Sequence, residues 1–384
     1  MTQTQQRREA ASFVPARGLA SKSLPEHNRR NNRALVLQHL FHTGAMSRAD
    51  LARESGLTRV TVGDLIAELT AEGIVHEVGQ RAGARPGKPA TLVEIDADAA
   101  HIVAIDLSPA DGFVGVVMDL RGEVQHRLVQ QLASAMGESA IEKVLQLVAG
   151  LLHAAQRPVL GIGVGTPGIV DHAGVVRQAP NLGWYDIDLG ARIRRVFDHP
   201  VYVANDANAA VLAVRTFGGA PGTSAMVVRI EHGVGAGLVI GGALVEGEQY
   251  AAGEIGHVVV DENGERCACG RRGCLELAVA APHIRRRLEA AGDDAREQVL
   301  TEAGHALGVA MSPVISMLNL NHVVLSGPAD LIGGALIERA RQTIRERTMS
   351  AVSNGLEVRA ASGDEDLALM GAGVLVLSGE LGVS

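Results

Sequence analysis

Cys267, Cys269 and Cys274 are the only cysteines of this 384-residue chain, and they fall within one short stretch, ERCACGRRGCLE (265–276). Three soft thiolates in a glycine-rich loop point to Zn2+ rather than to Mg2+ or Ca2+. A structural zinc takes four ligands in a closed tetrahedron, so a fourth donor must come from elsewhere in the chain. Arg266, Arg271 and Arg272 are placed to offset the negative charge of the thiolates. Three unrelated free thiols are the competing explanation, and the tight spacing weighs against it. With three cysteines there is no even disulfide framework, which leads us to expect a reducing, cytoplasmic setting.

A second candidate chemistry lies in PVYVANDANAAVLAV (200–214), a strand that runs into Asn205-Asp206 and then a helix. Planar polar side chains at the end of a strand suit hydroxyl-rich ligands, because ligands of α/β sheets sit beyond the strand ends. Helix capping alone would also account for an Asn-Asp pair here. Glu254 and Glu276 flank the cysteine loop and extend the polar set.

The elements that must carry these groups read as α/β. HIVAIDLS (101–108), VLGIGVGTPGIVD (159–171) and the strand before Asn205 are buried-strand patterns, and SAIEKVLQLVAGLLHAA (139–155) is an amphipathic helix. SAMVVRIEHGVGAGLVIGGALVEG (224–247) reads as a glycine-rich strand pair, and 276–347 as mostly helical around the strand NHVVLSG. Strands alternating with helices favour α/β layers. Aromatic residues are 2% of the chain, so Val, Leu, Ile and Ala must build the core. No apolar run approaches the roughly 18 residues of a membrane span, and the polar start MTQTQQRREAASF has no signal-peptide core.

The first 95 residues differ from the rest. They carry 13 Lys and Arg against 9 Asp and Glu, whereas the remainder carries 22 against 34. A basic head on an acidic body suggests an anionic partner for the head. Residues 1–26 lack apolar periodicity and read as a disordered tail. From Asn32 the pattern is helical. In MSRADLARESGLTRVTVGDLIAELTAEGIV, Ser47 with Asp50 starts a helix, Ser55-Gly56-Leu57 makes a turn, and Thr58 caps a second helix with Val62, Leu65, Ile66 and Leu69 inward. Helix, turn, helix at this spacing is a helix-turn-helix, whose second helix reads the major groove with its first residues. Two short strands around GQRAGARPGKPA then read as a β-wing. The expected DNA-contacting set is Ser47, Arg48, Thr58, Arg59, Val60, Thr61 and Gly63, with Arg81, Arg85 and Lys88 of the wing on phosphate or the minor groove. A small helical unit for protein contacts is the competing interpretation.

GTPGIVD (165–171), PNLGW (180–184), NDANAA (205–210), GVGAGLVIGG (233–242), AAGEIGH (251–257) and CACGRRGCLE (267–276) together resemble the ROK family of repressors and sugar kinases over nearly the whole chain. The resemblance implies a winged helix-turn-helix at 27–95 followed by a two-lobed actin/hexokinase-like (ribonuclease H-like) body at 98–384. It implies His257, ten positions before Cys267, as the fourth zinc ligand. It also implies a sugar site of Asn205, Asp206, Glu254, His257 and Glu276, and an even homo-oligomer, a homodimer or homotetramer. Kinase members lack the head, and Asp206 matches their general base.

Two departures argue against phosphoryl transfer. The first phosphate loop reads Asp106-Leu107-Ser108-Pro109-Ala110-Asp111, where Pro109 removes an N–H donor and Asp111 adds negative charge. The second has Glu231-His232-Gly233 in place of Gly-Thr-Gly. The expectation is therefore a DNA-binding regulator, most simply a repressor of carbohydrate-utilisation genes, with a monosaccharide or derivative as effector and a double-stranded operator as partner. An ATP-dependent sugar kinase with an added head is the alternative.

Overall fold

A computed structural model describes residues 25–80, 90–109, 111–218, 223–292, 295–361 and 366–384. The head begins with helix α1 (Pro25–Thr43), so helix replaces the last two residues of the expected tail and starts seven residues before the apolar pattern does. The early turn is held by charge rather than by core. Arg29 pairs with Glu68, and both terminal nitrogens of Arg33 reach the Glu72 carboxylate at 2.8 and 2.6 Å. Strand β1 (Met46–Ser47) leads to α2 (Arg48–Ser55) and α3 (Arg59–Ala71). Ser47 Oγ accepts from the Asp50 N–H, Gly56 turns the chain at φ 71°, and Thr58 Oγ1 accepts from the Thr61 N–H. Leu51, Val62, Leu65, Ile66 and Leu69 are buried, as their periodicity requires. Strands β2 (Val75–Gln80) and β3 (Thr91–Ile95) complete an antiparallel sheet in the order β1-β3-β2. The loop with Arg81, Arg85 and Lys88 lies outside the described residues.

The body holds two sheets of the same design. The first comprises β4 (His101–Asp106), β5 (Gly112–Met118), β6 (Val124–Gln131), β7 (Val159–Thr166) and, beyond a small sheet of β8 (Ile169–Val170), β9 (Val175–Ala179) and β10 (Trp184–Asp188), β11 (Val201–Asn205). Its order is β11-β7-β4-β5-β6. The second comprises β12 (Ala225–Ile230), β13 (Val234–Ile240), β14 (Ala243–Leu244), β15 (His322–Ser326) and β16 (Glu357–Ala360), in the order β14-β13-β12-β15-β16. In each lobe an antiparallel meander of three strands is extended by two parallel strands beside the first. The first strands, β4 and β12, are buried along their full length, so they read as continuous apolar runs.

Helices α4 (Glu138–Ala154) and α5 (Leu189–Val196) cover the first sheet. Helix α6 (Asp206–Thr216) packs against β12 and β13 of the second sheet. Helices α7 (Leu275–Val279), α8 (Ala281–Ala291), α9 (Arg296–Leu318), α10 (Gly334–Arg347) and α11 (Ser350–Ser353) build the second lobe. Helix α12 (Leu367–Val376) returns to pack on α6 and on β4 and β7 of the first sheet. Helix α6 is thus wedged between the lobes, and its first residue is Asp206. The apolar core of the head is continuous with that of the first lobe. Arg121 donates to the Phe41 carbonyl at 2.9 Å, Phe41 meets Phe217, and Gln38 donates to the Ser384 carbonyl at 3.1 Å. Among the described residues, no helix is long and apolar enough to cross a membrane.

Candidate functional site

The cysteine loop hangs from two short backbone pairings, Val259 with Cys274 and Arg266 with Arg272. The Cys267 N–H donates to the Arg271 carbonyl at 2.8 Å and the Gly270 N–H to the Cys267 carbonyl at 2.9 Å, which folds Cys267 and Cys269 onto one side. Gly273 has φ 65°, and a Cβ there would lie 1.5 Å from the Asp261 carbonyl oxygen, so no other residue fits beside Cys274. His257 enters from a short 3-10 turn, Ile255–His257.

One donor atom from each of His257, Cys267, Cys269 and Cys274 lies within 4.8 Å of the other three. His257 Nδ1 is 3.7 Å from Cys267 Sγ, and the sulfurs of Cys269 and Cys274 are 3.5 Å apart. A tetrahedral zinc with sulfurs at about 2.3 Å would set them roughly 3.8 Å apart, so the donor set and its spacing fit a zinc ion. Of the three loop arginines, Arg271 places Nη1 3.9 Å from Cys269 Sγ, whereas Arg272 donates to the Gly264 carbonyl. The backbone N–H of Arg271 and then the neighbouring thiols pull Cys269 down to about 6, against some burial. Burial and the same neighbours push Cys274 up to about 12. Crowded sulfurs of this kind share negative charge poorly without a cation among them.

The cleft side of the cluster is acidic. Cys267 Sγ lies 3.9 Å from Glu276 Oε1, and Glu276 Oε2 reaches over the backbone of Gly233, on the loop between β12 and β13. Glu254 reaches the surface, yet partial burial of its carboxyl by the surrounding protein raises it above the ordinary value. His257 opposes that shift, and Asp206 and Glu276 add to it. Asp206, Glu254, His257 and Glu276 therefore share one field. Asn205 is placed differently from the others. Its Oδ1 accepts from the N–H groups of Ala207 and Asn208, and its Nδ2 donates to the Gly168 carbonyl at 2.9 Å. It caps α6 and pins the loop after β7, with one amide hydrogen beyond those backbone bonds.

Two groups that sequence reasoning did not single out as ligands gather at Asp206. Ser108 donates to Asp206 Oδ2 at 2.7 Å. Arg229, from β12, brings Nε to 3.3 Å from Asp206 Oδ2 and Nη2 to 3.4 Å from Asp106 Oδ2. Burial lifts the Asp206 carboxyl, Arg229 opposes that, and Asp106 adds to it. Elsewhere, Tyr250 stacks on His172 at 5.4 Å with its hydroxyl 2.6 Å from Nδ1. Tyr250 has φ 58°, a left-handed conformation rare for a bulky residue. The one available signal for Arg229 was an arginine inside the otherwise apolar run AMVVRI.

On the head, Arg59 and Val60 stand exposed at the start of α3, with Val60 73% exposed, and Thr58 and Thr61 share a 2.9 Å hydroxyl contact. Thr61 and Gly63 are half-buried. Glu68 in α3 and Glu72 just past its end are paired to Arg29 and Arg33, which leaves its first turn the electropositive end. Ser47 does not join this surface: it is 4% exposed, and its hydroxyl donates to Asp50 Oδ2 at 2.8 Å. Arg48 pairs with Glu77 at 3.1 Å.

The xylose repressor of Caldicellulosiruptor bescii is 28% identical over 388 residues, covering 90% of this chain and 95% of that protein. A glucokinase of Halalkalibacterium halodurans is 30% identical over 257 residues, covering 58% of this chain and 78% of that protein. The crystal structure of a ROK family transcriptional regulator, a homologue of the Escherichia coli Mlc protein, superposes with a TM-score of 0.81 at 25% identity, over 93% of this chain and 98% of that one. The ROK family profile matches residues 103–378, and the chain belongs to the ROK family.

Proposed function

We propose that this chain is a sugar-responsive DNA-binding regulator, a repressor of carbohydrate-utilisation genes, with a structural zinc. The observation that carries this reading is the extent of the similarity. A repressor matches 90% of the chain, head included, whereas a glucokinase matches 58%. The head, as a winged helix-turn-helix within residues 27–95, enters the major groove with the start of α3. Arg59 pairs with a guanine edge, Val60 meets a thymine methyl, and Thr58 and Thr61 meet phosphate. Arg81, Arg85 and Lys88 of the wing add contacts to phosphate or the minor groove, and Arg48 adds one by exchanging Glu77 for phosphate. Zinc bound by His257, Cys267, Cys269 and Cys274 fixes the loop that presents Glu254 and Glu276, which with Asp206 and His257 take sugar hydroxyls. Asn205 caps α6 and adds its remaining amide N–H to that set. Sugar binding closes the lobes and resets the spacing of two heads in an even homo-oligomer in the cytoplasm.

Pro109 and Glu231 in the two phosphate loops support the absence of phosphoryl transfer. The 30% identity to a glucokinase favours the second reading, a kinase with an added head. DNase I footprinting on the DNA upstream of the gene tests the first reading. A dimer should protect two half-sites about 34 Å apart or a multiple of that. Absence of protection combined with ADP release from ATP in the presence of hexoses would establish the second.

A further inference from the structure

Arg229 is 6% exposed in a strand whose other residues are apolar. Its guanidinium crosses from the second lobe to the first and lies between two carboxylates, Asp106 at the end of β4 and Asp206 at the start of α6. Both contacts are long, and Nε is buried with no hydrogen-bonded partner. The group is therefore held by charge more than by directed hydrogen bonds, and one donor remains to be satisfied. Burial opposes its positive charge, but Asp106, Asp206 and then Glu231 more than offset this, and its pKa stays above the ordinary value for arginine. A guanidinium does not shed its proton to escape burial, so the positive charge is permanent.

Without Arg229, buried Asp106 and largely covered Asp206, from different elements, would face each other beside half-buried Glu231 with no cation among them. Hard oxygen ligands in that arrangement attract a divalent cation. Nucleoside triphosphates enter clefts with such cations bridging their phosphates. We propose that Arg229 is a specificity-determining residue of the cleft. It is the built-in counter-cation of Asp106 and Asp206, and it excludes divalent cations and the phosphates they carry, leaving the cleft to an uncharged polar ligand. The identity of that ligand rests on the sugar reading above, but the exclusion does not, and its test uses neither sugar nor DNA.

Mn2+ binding to the full chain, followed by the electron paramagnetic resonance of free Mn2+ at neutral pH, reads the exclusion directly. Arg229→Met should gain a Mn2+ site tighter by about 100-fold than any in the unsubstituted chain, the scale expected when a buried charge loses its partner. Arg229→Lys, which keeps the charge, should not gain it, and Arg229→Met with Asp106→Asn should lose it. Circular dichroism checks the fold, and Arg229→Gln replaces the methionine variant if that one unfolds. No gain in either neutral variant would overturn the proposal, as would a gained site that survives Asp106→Asn. Failure of the chain to bind DNA or sugar would leave these outcomes unaffected.

Discussion

Cys274→Ser removes the most buried donor of the four-residue cluster, with little change in size. Cys274 also pairs with Val259 and precedes α7, whose first turn carries Glu276. Between residues 258 and 274 the buried apolar side chains are those of Cys267 and Cys274 themselves, so this loop has no core of its own. Ordering it costs roughly 1–2 kcal/mol per residue, which a few backbone hydrogen bonds do not cover. In the proposed zinc site, metal coordination contributes to holding it. With free zinc at about 1,000 times the dissociation constant, binding contributes about 4.1 kcal/mol to stability. Loss of a ligand should weaken binding by at least about 100-fold, the upper end of what even outer partners cost. About 1.4 kcal/mol would then remain, a loss of about 2.7 kcal/mol. For a body of this size that lowers the melting temperature by roughly 5–11 °C. Elemental analysis of the purified variant and calorimetric melting with and without a chelator measure both quantities. A Cys274→Ser variant that holds one zinc per chain through dialysis against zinc-free buffer as firmly as the wild type does, or a wild-type melt indifferent to chelator, would refute the reasoning.

Three further outcomes follow from other parts of the molecule. Arg59→Ala should weaken operator binding by about 1–3 kcal/mol and relax base preference at one position, with zinc content unchanged; competition between operator variants measures it. Glu254→Gln should raise the sugar concentration needed for half-release of DNA by about tenfold or more, as expected for loss of a charged acceptor; a normal titration would remove Glu254 from the site. Burial raises the Glu246 carboxyl, with His172 opposing and Asp171 adding. A raised carboxyl contributes stability at pH below its unfolded value that is lost as pH rises through the folded value. Glu246→Gln should therefore match the wild-type melting temperature at acid pH and gain on it toward neutrality; a constant difference across that range would contradict the sign.

Local patterns were legible where chemistry and spacing coincide in one segment. Cys267, Cys269 and Cys274 share a loop, and the inward residues of α2 and α3 follow the helical period, so both could be read without a partner. The start of α1 was missed because Arg29 and Arg33 hold its early turns through Glu68 and Glu72, a non-local pairing invisible to periodicity. The small sheet β8-β9-β10 escaped notice because its strands are short and partly exposed. Arg229 could be seen only as an oddity in AMVVRI, since its partners Asp106 and Asp206 come from the other lobe. Ser47 and Asn205 both cap helices, as their positions at helix starts allow, and only Ser47 is buried away from the surface that its position suggested.

The most direct test of sugar-controlled DNA binding is the fluorescence anisotropy of labelled DNA from upstream of the gene, titrated with the purified chain at one stated salt concentration. Salt must be fixed because phosphate contacts dominate affinity. The titration is repeated with a panel of monosaccharides that includes xylose, glucose and N-acetylglucosamine. The expected result is tight binding that one sugar releases. To take the DNA-competent population from 99% to 1%, that sugar must favour the released state by about 5.5 kcal/mol. Tight binding that no sugar alters, or no binding at any protein concentration, would contradict it.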